Sequence, residues 1–295
     1  MDLTVFVDIA KLAGIYLGMA LGFVIVYRAS RVLNLAQPGL IMLGAFATLT
    51  YLPKYDSGPR ATPAFWLTAL ALVAGGAVVG LVVYVALVRP MAGESRVSIV
   101  LMTLAVLFLL EAAVEVHWRG ERGFMSLPGN QVNYTIFGTH VRLFDLVPLV
   151  VGLAMWSGVA AFYKWSKAGI RIRAVAESPA LAARRGINID RIGALSWALA
   201  VAVAVVSAFT SGTQGPVSGL LVGSALKGFT VALVGGLDSI GGLLPAALIV
   251  AASEVITVRW VDQQWGEAIP FVVLLVVLMI KPWGLAGTVE ELERV

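Results

Sequence analysis

Nine stretches of this chain are apolar over lengths suited to entering or crossing the hydrocarbon of a bilayer. A crossing helix needs about 20 mostly apolar residues, and by that ruler the spans fall near residues 9–27, 38–52, 63–88, 97–113, 143–163, 192–210, 219–234, 243–258 and 268–280. The second and last are short, at about 15 and 13 residues, which predicts half-membrane or broken helices there. The apolar runs are continuous, whereas strands of an outer-membrane barrel alternate apolar and polar residues. The fold class expected is therefore all-α: a polytopic transmembrane helical bundle of about 8–10 spans, with nine as the working count. Composition agrees. Charged residues make up 13% of the chain against about 25% in soluble domains, and hydrophobic ones 59%, which excludes a soluble enzyme and a disordered chain.

Lys and Arg set the expected orientation, because cytoplasmic loops carry them in excess. Alternate connections gather Arg28, Arg31, Arg89, Arg96, Lys164, Lys167, Arg171, Arg173, Arg184, Arg185, Arg191, Lys281 and Arg294 on one side, 13 in all, against 7 on the other. The long basic loop 164–191 and the C-terminus are thus expected in the cytoplasm, and the N-terminus outside if the count is nine. Asp2 and Asp8 precede the first apolar run, so that run reads as a retained span and not as a signal peptide with a cationic start. One transmembrane domain, 1–295, is expected, containing that loop and an external loop at 115–142.

Inside the basic loop, Ser178 is placed to cap a helix, Pro179 to occupy its first position and Gly186 to stop it. Glu177 stands at the positive end of this helix and Arg184 and Arg185 at the negative end, matching the helix dipole. Such a self-capped helix reads either as a plain basic loop or as a docking element, with Ala180, Ala182 and Ala183 small enough to enter a partner's groove.

This loop resembles the coupling loop of ABC-importer permeases, specifically the LivH-type permeases of branched-chain amino acid uptake. The residues that carry the likeness are Ala176, Glu177, Ala182, Gly186, Ile187 and Asn188. Two further stretches match in order: "VLNLAQPGLIMLGAF" at 32–46 and "GSALKGFTVALVGGLDSIGGLLPAALIVAASE" at 223–254. One departure is that the family has Gly then Glu where this chain has Pro38 and Gly39. The resemblance implies coupling to ATPases through Ala176, Glu177, Ser178, Pro179, Ala182, Arg184 and Gly186. It implies four kinds of partner: a second, LivM-like permease forming a heterodimer, two cytoplasmic P-loop ATPase subunits, an extracytoplasmic substrate-binding protein and membrane lipid, with no nucleic acid. It also implies residence in the bacterial cytoplasmic (inner) membrane.

The chain itself has no Gly-Lys dipeptide and hence no P-loop, so ATP and Mg are expected on partner subunits and no cofactor in this chain. With no cysteine and two histidines, His117 and His140, neither a metal site nor a catalytic centre is expected. Asn34, Gln37, Pro38 and Gly39 adjoin a short span and fit either a lining of the transport path or a cap on the next helix. Gly235 and Gly236, with Gly241 and Gly242, flank an interruption at Asp238 and read as close packing before path lining. The set Gly75, Gly76 and Gly80 reads as a packing face. Lys227 and Glu254 are the ionisable residues deepest in apolar runs and are expected to pair, as a structural tie before a substrate contact. Glu111 and Glu115 are expected to face an outer vestibule or to meet Arg119 and Arg122. Trp118, Phe124, Tyr134 and Phe137 in the external loop fit either a binding-protein platform or an interfacial belt.

The function expected is uptake of branched-chain or hydrophobic amino acids by alternating access, driven by separate ATPase subunits. Alternatives are an ion-coupled secondary transporter of small polar solutes and, within the family, a urea or short-amide importer. An intramembrane enzyme is disfavoured for want of a His, Cys or paired-Asp centre.

Overall fold

The structure is a computed structural model describing residues 3–52, 62–119, 123, 125, 133–136, 139–212 and 215–288. All nine apolar stretches are helical: α1 (Leu3–Ser30), α2 (Gln37–Tyr51), α3 (Pro63–Val83), α4 (Arg96–Trp118), α5 (Leu143–Trp165), α8 (Ile189–Gly212), α9 (Leu221–Gly235), α10 (Ile240–Trp260) and α12 (Ile269–Ile280). Among the described residues, six helices are long and apolar enough to cross a membrane, α3 being prolonged to Met91 by a π turn and a 3-10 turn. α2 and α9 have 15 residues and α12 has 12, so these three are too short to cross unaided. Among the described residues, three further helices lie between the spans: α6 (Lys167–Glu177), α7 (Pro179–Arg184) and the four-residue α11 (Gln263–Gly266). A short antiparallel hairpin, β1 (Asn133–Ile136) with β2 (Thr139–Arg142), folds the loop before α5; no apolar alternation in the sequence announced it.

α1 is the axis of the bundle. It packs against α5, α8, α9 and α10, and every residue from Ala13 to Val26 is buried. A helix apolar on all faces is stable only where all faces are covered. By contrast, α3, α4 and α12 leave Leu67, Leu70, Val82, Leu101, Phe108, Leu109, Leu275 and Met279 exposed, the pattern of helices solvated by lipid.

Small residues bring the spans together. A Cβ on Gly14 would stand 2.4 Å from the Pro148 and Leu149 backbone, and one on Gly152 would stand 2.5 Å from the Gly14 carbonyl, so α1 and α5 touch main chain to main chain. Gly76 and Gly80 likewise seat α3 on α8, at Val205 and the Trp197 carbonyl, whereas Gly75 faces open space and takes no part.

The polar connections gather at two ends. At one, the Arg28 guanidinium lies 4.7 Å above the Tyr163 ring, and Arg89 pairs with Asp190 at 3.2 Å. The first contact joins the ends of α1 and α5, and the second joins the extension of α3 to the start of α8. At the other, the Trp118 indole donates to Thr50 Oγ1 at 2.7 Å and Lys11 approaches Asp8 and Asp145. Glu115 is exposed and Glu111 half-buried at this end. Among the loop residues weighed from sequence, Arg122, Phe124 and Phe137 lie outside the described residues, as does Arg294.

Candidate functional site

Three places in the fold hold the residues that the sequence singles out. The first is the α6–α7 arm. Ser166 opens α6 by accepting from Gly169 N at 2.9 Å, and Gly169, Ile172 and Val175 bury one face of that helix. Ser178 ends α6 and begins α7, its hydroxyl accepting from Leu181 N at 3.3 Å, with Pro179 next in the first turn. Gly186, at φ +76°, closes α7: its amide donates to the Ala183 carbonyl at 2.9 Å and that of Ile187 to the Ala182 carbonyl at 3.1 Å. This pair of bonds is a Schellman stop, and the left-handed φ suits glycine.

The structure places Ala176 half-buried near the end of α6 and Glu177 exposed beside the cap, with Arg184 and Arg185 exposed at the far end of α7. It separates the three alanines. Ala182 turns inward and is buried, while Ala180 and Ala183 face out. The side group that sequence reasoning missed is Leu181, 61% exposed on the outer surface of α7. A helix of six residues is too short for periodicity to say which face meets its own bundle.

The second place is the turn from α1 into α2. Asn34 and Gln37 are buried and bonded throughout by protein. Asn34 Oδ1 accepts from Ala36 N at 3.1 Å, Asn34 Nδ2 donates to Gln37 Oε1 at 3.3 Å, and Gln37 Nε2 donates to the Ala200 carbonyl of α8 at 3.3 Å. Thr103 of α4 accepts from Leu35 N at 3.0 Å. Asn34 therefore closes its own turn; the residue preceding α2 is Ala36, which offers no side-chain cap. Pro38 sits in the first turn of α2, where a missing N–H costs nothing. Gly39 lets α4 approach, its Cβ position lying 3.0 Å from Leu107 Cδ1.

The third is the seam between α1, α9 and α10. Lys227 Nζ lies 2.7 Å from Glu254 Oε1, and the Tyr16 hydroxyl donates to Glu254 Oε2 at 2.6 Å. Both carboxylate oxygens are thus engaged, by a cation on α9 and a hydroxyl on α1. Lys227 and Glu254 are 8% and 9% exposed. Tyr16 was not singled out from sequence; the one trace it left there is a phenol inside an otherwise apolar run, which does not by itself mark a partner.

Below this seam, the α9–α10 turn is sealed by backbone. Gly236 adopts φ +99°, and a Cβ on Gly242 would fall 2.0 Å from the Gly235 carbonyl. The segment after α12 then lies across the turn: Leu285 N donates to the Val234 carbonyl at 2.7 Å, Ala286 N to the Gly235 carbonyl at 3.2 Å, and Thr288 N to Asp238 Oδ2 at 3.0 Å. Gly235 and Gly236 are here packed against neighbouring main chain. Among the described residues, no group of His, Cys, Asp and Glu is arranged to hold a metal ion.

Residues 5–278 match the family model described as branched-chain amino acid transport system, permease component. The chain is 28% identical to the high-affinity branched-chain amino acid transport system permease protein BraD of Pseudomonas aeruginosa, covering 95% of this chain and 94% of that one. It is 26% identical to the corresponding LivH permease protein of Escherichia coli K12 over 96% and 94% of the two chains. To a probable branched-chain amino acid permease protein LivH of Methanocaldococcus jannaschii it is 27% identical over 91% and 87%. No solved structure matches the chain.

Proposed function

Because the chain belongs to the family of branched-chain amino acid transport system permease components, we propose that it is the membrane-embedded permease of an ATP-binding-cassette importer for branched-chain and other hydrophobic amino acids. It works in the cytoplasmic membrane as a heterodimer with a second, related permease. An external binding protein delivers substrate, and two cytoplasmic P-loop ATPases supply ATP and Mg. The α6–α7 arm and the C-terminal segment then face the cytoplasm, as the excess of Lys and Arg on that side requires.

The observation that carries this reading is α7 itself: a short helix with its own cap and stop, seated at the edge of the bundle on Ala182 and presenting Leu181, Arg184 and Arg185 outward. An exposed leucine flanked by cations suits a groove that is apolar at its centre and acidic at its rim. ATPase closure would move α7, and α6 would pass that motion to α1, α5 and α8, against which it packs.

The test is a gentle pull-down of tagged chain from native membranes. Recovery of two P-loop ATPases and a second permease is expected, with at least tenfold less ATPase recovered when Leu181→Asp is combined with Arg184→Glu. Recovery of the chain alone, under conditions that preserve a known importer complex, would sink the reading.

A further inference from the structure

Lys227 and Glu254 form a buried ion pair among the apolar residues of α9 and α10, and Tyr16 completes the hydrogen bonding of the carboxylate. A buried ion pair adds little net stability, since apolar residues of like volume would close the same seam as well or better. Charge at membrane depth accordingly points to a ligand or a pathway. The geometry points to this pair as the binding site for the zwitterionic head of a free amino acid, held shut in this structure by its own two charges. The inference rests on the permease reading and names the residues that would hold its substrate.

The chemistry is a partner exchange. An α-amino acid carries one carboxylate and one ammonium on the same carbon. When α9 parts from α10, Lys227 Nζ is left to meet the substrate carboxylate and Glu254 Oε1 to meet its ammonium. The Tyr16 hydroxyl stays on Oε2 throughout and fixes the carboxylate's direction. Each positive group faces a negative one before and after the exchange, so no lone charge is stranded in apolar surroundings. A mono-charged solute could satisfy one residue and would leave the other unpaired.

The surroundings suit an apolar side chain. Met19, one helical turn from Tyr16, is fully buried and lies against α9, where a Cβ on Gly228 would stand 2.5 Å from Met19 Cβ. A Cβ on Gly266 would stand 2.3 Å from Val258 Cγ2 and 3.9 Å from Glu254 Cγ, so α11 packs on Val258 and comes within van der Waals reach of the Glu254 stem. Because α11 precedes α12 on the end expected to face outward, this short helix is placed to cover the site from that side.

The experiment uses the whole importer, with its ATPases and binding protein, in proteoliposomes, reading labelled leucine uptake and ATP hydrolysis together. The neutral double variant Lys227→Met with Glu254→Gln is expected to assemble and hydrolyse ATP while losing at least tenfold of its uptake. The exchanged pair Lys227→Glu with Glu254→Lys is expected to take up more leucine than the neutral one. Uptake by the neutral variant at the unaltered rate overturns the site and leaves a structural tie. If the neutral variant does not assemble, Tyr16→Phe decides: a threefold or larger loss of uptake at unchanged ATP hydrolysis upholds the site, and full uptake overturns it. If the unaltered complex takes up no leucine, the permease reading fails first and the site with it.

Discussion

A Cβ on Gly22 would stand 1.8 Å from Gln37 Nε2, so the Gln37 amide occupies space that any other residue at position 22 would fill. Gly22→Ala should push Gln37 off the Ala200 carbonyl and strand a buried donor, which costs about 1–3 kcal/mol. Thermal unfolding in detergent should show a lowered midpoint, while Gly75→Ala, which meets nothing within 4 Å, should leave it unmoved. An equal response from the two variants would refute the assigned role of Gly22. Asn34 and Gln37 were visible in sequence as polar residues at a broken stretch. Their partners were not, because the Ala200 carbonyl and the Gly22 groove belong to helices that packing alone brings near. Lys227 and Glu254 were legible as a pair because deep charges are few and opposite in sign. Tyr16 was not, since a phenol is common in apolar helices and its acceptor lies 238 positions away.

At the scale of elements, α7 could be read in advance because its start and stop are local chemistry: Ser178, Pro179 and Gly186 act within their own turn. α6 was hidden in the same basic loop, because its apolar face comes round just often enough to bury Gly169, Ile172 and Val175 in 11 residues. Removing the cap with Ser178→Ala should cost about 1 kcal/mol of local helix stability. Hydrogen exchange should then quicken at residues 181–185 and stay unchanged in α1 and α8. Quickening spread through the spans would mean that α7 is not an independent unit. Nine apolar stretches gave nine helices, but six of them reach crossing length. The shortness of α2 and α12 was legible as short apolar runs, and α9 joins them at 15 residues; hydropathy says what a segment avoids and not what its ends pack against.

For the whole molecule, burial runs opposite to that of a water-soluble domain at the periphery: α1 is sheathed by helices, while α3, α4 and α12 turn large aliphatic side chains outward. Composition made that arrangement legible as membrane residence. It said nothing of how residues 281–288 close over the α9–α10 turn, because those bonds are made by backbone and by Asp238 with Thr288. Asp238→Ala removes the acceptor for Thr288 and should release that end of the strap. Limited proteolysis from the α6–α7 side should then cut beyond Lys281 several-fold faster than in the unaltered protein. Equal rates would mean that the bonds of Leu285 and Ala286 hold the segment without help.

That strap also imposes an order in time. Asp238, in the turn after Gly236, leaves the ribosome fifty residues before the Thr288 that seals it, with α10, α11 and α12 still to come. During that interval the Val234 and Gly235 carbonyls lack the amides that later cover them, and Asp238 lacks its donors. The half-made bundle therefore enters the membrane with a latch that its own later synthesis must close, and a nascent chain stalled within α12 would remain unfastened at that corner.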